Sequence, residues 1–151
     1  MKGIKDSKPF RYLVGYYGVL QSCHLILLSR AGWLLLQGKV MPFPAPPPPG
    51  GWPQTSLPFL LGMGITDVFA ITLGLVFVYY YLLRDRLQLP LGLISLTAAT
   101  SSGIVYLIGT LPSGAWEANP VAYAAVLLLF GPILPLFYYL IKGSFGTGHT
   151  Q

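Results

Sequence analysis

Residues 57–83 read LPFLLGMGITDVFAITLGLVFVYYYLL, an apolar run carrying one charged residue, Asp67. A helix rising 1.5 Å per residue needs only ~20 residues to cross ~30 Å of hydrocarbon, and this run exceeds that. Three more runs of similar character flank it, at 12–36, 91–111 and 120–141. In lipid a segment must satisfy its own backbone, which leaves helices and closed barrels, and runs this long and uniform are not barrel strands. The pattern predicts an all-α integral membrane four-helix bundle, with residues 1–151 forming one transmembrane domain.

Composition points the same way. Hydrophobic residues make up 54% of the 151 and charged residues only 9%, against roughly 25% charged in soluble domains. Mean hydropathy is +0.64. Disordered, collagen-like and disulfide-framed classes are excluded. So is nucleic-acid binding, despite a pI of about 9.4, because the nine basic residues form no continuous stripe. The one cysteine, Cys23, rules out an internal disulfide or a Cys-based metal cage and reads as a small packing residue.

Prolines mark the helix starts. Pro9, Pro58, Pro90 and Pro120 stand just before or within the first turn of each run, where a missing N–H costs nothing. Ser56 and Asn119 occupy expected N-cap positions. Charge predicts orientation. Lys2, Lys5, Lys8, Arg11, Arg84, Arg86 and Lys142 fall on one side, against Lys39 on the other. The positive-inside rule then places both termini in the cytoplasm. Trp33, Trp52 and Trp116 mark the outer boundary, and Tyr79, Tyr80, Tyr81, Tyr138 and Tyr139 the inner one. Leu20-Gln21-Ser22-Cys23 approximates a lipoprotein cleavage box, but the apolar run continues through Leu36 and Gln21 suits such a box poorly. An intact first helix is the better reading.

The outer loop 37–56 holds half of the chain's 14 prolines: Pro42, Pro44, Pro46, Pro47, Pro48, Pro49 and Pro53. Such a segment is stiff and extended. It reads first as a strap across the outer ends of the first two helices, and second as a lid or docking strand. Arg84-Asp85-Arg86 forms a short turn that makes helices two and three antiparallel neighbours, and 143–151 is a Gly/Thr-rich tail. No internal repeat is evident, so an inverted-repeat transporter has no support.

Small residues recur every fourth position in helix two (Gly62, Thr66, Ala70, Gly74) and helix three (Ser95, Ala99, Gly103). These stripes permit close backbone approach and read as internal packing seams. Gly131-Pro132 and Pro135 predict a break in helix four, whose freed carbonyls need a donor.

Asp67 is the leading site candidate, because a carboxylate at bilayer depth costs roughly 2.5–3.5 kcal/mol. At 100° per residue it lies about 20° from Gly74, facing the bundle. Antiparallel helices bring His24, Thr100, Ser101, Ser102 and the Gly131-Pro132 break to similar depth, a predicted midplane polar layer. Tyr17, Gln21 and His24 share one face of helix one. Arg30 lies about 120° around from His24; it either snorkels to the headgroups or pairs with Asp67. His24 reads as a hydrogen-bonded imidazole or a proton relay. No second His or carboxylate stands at ligand spacing, so no metal or cofactor is expected. Glu117, in the short outer loop, reads as solvated.

No HExxH, GxSxG, GxxxxGK[ST] or CxxC motif is present. The leading functional expectation is a non-catalytic, multi-pass membrane module. Its partners are the lipid bilayer and either a lipophilic molecule or a larger membrane complex of which it is a subunit. The alternative is a small solute transporter or proton-coupled carrier using Asp67. An intramembrane enzyme using Asp67 and His24 ranks third.

Overall fold

The computed structural model describes residues 7–39 and 46–145, and every regular element within them is helical. Lys2, Lys5, Pro42, Pro44 and the tail 146–151 lie outside the described residues. The elements are α1 (Lys8–Leu36), α2 (Leu57–Leu82), α3 (Gln88–Thr110), α4 (Ala115–Ala118), α5 (Pro120–Phe130) and α6 (Ile133–Phe145), with single 3-10 turns at Gln54–Ser56 and Leu111–Ser113. Four helical stretches, the last combining α5 and α6, are long and apolar enough to cross a membrane.

The helix ends follow local chemistry. Ser7 Oγ accepts from the Phe10 amide at 3.4 Å, so α1 starts at Lys8, one turn ahead of the apolar run. Gly38 at φ 68° closes its other end: the Gly38 amide donates to Leu35 O and Lys39 to Leu34 O, the 5→2 and 6→1 pair of a Schellman cap. Arg84, at φ 56°, ends α2 the same way, with its amide on Tyr81 O and that of Asp85 on Tyr80 O. Asp85 Oδ1 then accepts from the Leu87 amide at 2.8 Å and launches α3.

Two expected caps are not made. Ser56 is already in the helical region as part of a 3-10 turn, and its side chain caps nothing. Asn119 turns its amide elsewhere, donating to Pro47 O and Ala115 O at 3.2 Å each. Tyr123 donates to Pro46 O at 3.3 Å. The proline segment is therefore fastened to the start of the fourth span as well as lying between the first two helices.

The half of the bundle nearest the two chain ends, here called inner, is a closed square. α1 packs on α2, α2 on α3, α3 on α6 and α6 on α1. Its core includes Phe10, Val14, Tyr17, Phe77, Leu96 and Leu136. Gly92 permits this approach, since a Cβ there would stand 2.7 Å from Leu140 Cδ1 and 2.9 Å from the Phe77 ring. Across the seam, Ser95 Oγ donates to Ala70 O at 3.0 Å, so the Tyr17 hydroxyl 2.7 Å away is left as donor to Ser95. One chain of hydrogen bonds thus ties α1, α3 and α2.

The fourth span breaks where Gly131-Pro132 predicts. α5 ends at Phe130 and α6 begins at Ile133. Pro132 and Pro135 supply no N–H, and Leu134 N closes on Gly131 O at 3.1 Å instead. At the same turn the Tyr16 hydroxyl donates to Leu129 O at 2.6 Å, the neighbouring donor a broken helix requires. Beyond the break, α5 does not approach α1, α2 or α3 as closely as α6 approaches α1 and α3. Its outer end is held by side chains: Met63, Tyr106, Ala115 and Tyr123 form a second, separate core. Trp116 stacks on Tyr123 with ring centroids 4.5 Å apart.

Candidate functional site

Between the two apolar cores lies a polar layer, assembled from three helices. Asp67 of α2 points inward, as its 100° arithmetic against Gly74 requires. Its Oδ1 accepts from Ser102 of α3 at 2.6 Å, and its Oδ2 lies 3.9 Å from His24 Nε2 of α1. The His24 ring sets its edge on Phe130 at 5.5 Å, beside the helix break. One turn before His24, Gln21 is 1% exposed, and its Oε1 has no hydrogen-bond partner. Thr100 Oγ1, on α3, is likewise buried without a partner. The five polar side chains, Asp67, Ser102, His24, Gln21 and Thr100, all belong to residues lining one cavity of about 640 Å³.

The cavity extends from this layer toward the outer core, reaching Tyr106 and Trp116. Apart from the polar floor its wall is apolar, with much of the space left by small residues: Ala31, Gly32, Gly64, Ala99, Gly103 and Gly131. The seams expected to pack are thus divided in two. Ala70, Gly74 and Ser95, in the inner half, are buried, whereas Gly62, Thr66 and Gly103, in the outer half, are exposed. The cause is the broken fourth span, which fills the inner half of the bundle and leaves the outer half short of a helix.

Two sequence-derived placements, Ser101 and Cys23, are corrected, and of the two readings of Arg30 the pairing with Asp67 is not made. Ser101 is exposed, because three consecutive hydroxyls are 100° apart and cannot all face Asp67. Arg30 is exposed and makes no ion pair with Asp67; it stands on the outer face of α1. Cys23 is exposed rather than packed in the core. Among the described residues no three of His, Cys, Asp or Glu gather into a metal-ligating group.

Tyr106 is the site residue the sequence reading passed over. Its hydroxyl donates to that of Tyr123 at 3.4 Å, and Thr110 Oγ1 donates to Tyr106 O at 2.7 Å while accepting from Trp116 Nε1 at 3.0 Å. The signal was present: Ser95, Ser102, Tyr106 and Thr110 are spaced by seven, four and four, one face of a helix. Comparison with protein-family models, curated proteins and solved structures finds no match to this chain.

Proposed function

We propose that the chain is a four-span membrane protein with both termini cytoplasmic, and that its cavity binds a lipophilic molecule. The observation that carries this reading is the cavity itself: about 640 Å³, apolar along its length and polar at one end. That size lies within the ~300–1,000 Å³ range of ligand pockets, which share this composition. Membrane placement is supported by the outer surface. Val121 is 82% exposed, Leu128 78% and Ile65 73%, and contiguous apolar surface of this kind calls for lipid rather than water. Seven basic residues on one side support the orientation. With native Cys23 replaced, single cysteines in 38–56 and 112–118 should label from outside the cell and cysteines at the termini should not; the reverse pattern overturns the orientation.

Native mass spectrometry of mildly extracted protein tests the binding. The wild-type chain should carry an additional lipophilic mass. Gly103→Leu should lose it, because a Cβ at Gly103 meets nothing within 4 Å and the longer side chain enters the cavity without displacing backbone. A folded wild-type protein that neither retains nor takes up any lipophile would overturn the reading. A second reading, a proton-coupled carrier, is favoured by the His24–Asp67 pair beside a broken helix. pH-driven solute uptake into liposomes, abolished by Asp67→Asn, would select it.

A further inference from the structure

We propose that the bound lipophile is an uncharged alcohol, whose single hydroxyl sits between Asp67 and His24 while its apolar body runs toward Tyr106 and Trp116. The proposal rests on the lipophile-binding reading above and names the chemistry of the ligand's polar end. The 3.9 Å between His24 Nε2 and Asp67 Oδ2 is too long for a direct hydrogen bond. It suits one inserted oxygen: an atom ~2.8 Å from each would see the two at roughly 90°, within reach of a hydroxyl's donor and lone-pair directions. Asp67 Oδ1 is already engaged by Ser102, so Oδ2 is the acceptor presented to the cavity.

The functional group follows from matching donors to acceptors. With Asp67 as a carboxylate and His24 as the Nε2–H tautomer, Oδ2 demands a donor and the imidazole offers one in return. A hydroxyl does both. A ketone or ether accepts from His24 but leaves Oδ2 without a donor, a carboxylate is repelled by Asp67, and an ammonium has no lone pair for the imidazole N–H. Above the floor, the apolar wall leaves only hydrocarbon to match.

Flexible isoprenoid alcohols and rigid sterols share this chemistry, and the test separates them. Geranylgeraniol, cholesterol and the methyl ether of each are titrated against the full chain in detergent micelles, with bound mass read by native mass spectrometry. At least one alcohol should bind about tenfold or more tightly than its ether, which keeps the oxygen but cannot donate to Oδ2. The alcohol that does so identifies the flexible or the rigid source. Asp67→Leu should bring alcohol and ether to within about threefold. Ethers that bind the wild-type protein as tightly as the alcohols overturn the hydroxyl assignment and leave the lipophile reading standing. If none of the four binds while the extracted wild-type protein still carries a lipophilic mass, the alcohol assignment falls and the lipophile reading stands; if it carries none and takes up none, both fall. An alcohol preference undiminished in a folded Asp67→Leu protein overturns the role given to Asp67. Should that variant not fold, the wild-type alcohol-to-ether ratio decides.

Discussion

Ser102 donates its hydroxyl proton to Asp67 Oδ1 across 2.6 Å, and this bond joins α3 to α2 at the level where the fourth span breaks. Below it the helices close on one another; above it they enclose a cavity. The polar layer is therefore a structural boundary as well as a candidate binding floor.

Ser102→Ala should lower stability by about 1–3 kcal/mol, the cost of leaving the buried Asp67 Oδ1 without its donor. Asp67→Asn should cost less, about 1 kcal/mol, because the amide oxygen still accepts. Asp67→Leu should lower the melting temperature, since it strips Ser102 and His24 of their common partner. Thermal unfolding in detergent orders the three variants. A melting temperature that rises in Asp67→Leu would place the residue against lipid and remove it from the site.

Two glycines on the same stripe of α2 should respond in opposite ways. A Cβ at Gly74 would stand 2.9 Å from the Tyr17 hydroxyl and 3.1 Å from Ser95 Oγ, so Gly74→Ala pushes apart the bond that ties α1 to α3. Overpacking of this kind costs about 1–3 kcal/mol. At Gly62 a Cβ meets nothing within 4 Å, so Gly62→Ala should be neutral or stabilise by up to about 1 kcal/mol through helix propensity. Equal effects at the two positions would mean that the outer half of the stripe packs as tightly as the inner half.

The same pair of glycines shows how far the sequence could be read. The four helices were legible because their apolar runs exceed the membrane-crossing length, and the break was legible because Pro132 has no N–H to give. The 100° arithmetic that sets Asp67 close to Gly74 on one face also explains why Ser101 faces outward when its neighbour Ser102 does not. The cavity was not legible. Gly62, Thr66, Ala70 and Gly74 carry one uniform signal, and only the path of another helix decides which of them finds a partner. Tyr106 was missed because its role depends on a hydroxyl contact with Tyr123 on another helix, which no spacing within its own helix reveals.

Pro132 should be the residue on which the cavity depends. Pro132→Ala restores an amide that can donate to Leu128 O and remove the main cause of the break between Phe130 and Ile133. A continuous fourth helix would carry α5 along the axis of α6, which already packs against α1 and α3. The outer half of the bundle would then close over the space beside Gly64, Ala99 and Gly103. Stability should rise or hold, because a helical hydrogen bond is gained and apolar surface is covered. Retention of a lipophile should fall. Tyr16→Phe provides the complementary measurement: it removes the donor to Leu129 O, costs about 0.5–1.5 kcal/mol, and leaves the break in place. Native mass spectrometry and thermal unfolding on both variants separate the two effects. A Pro132→Ala protein that is no less stable and keeps its bound lipophile would show that the cavity does not depend on the proline break.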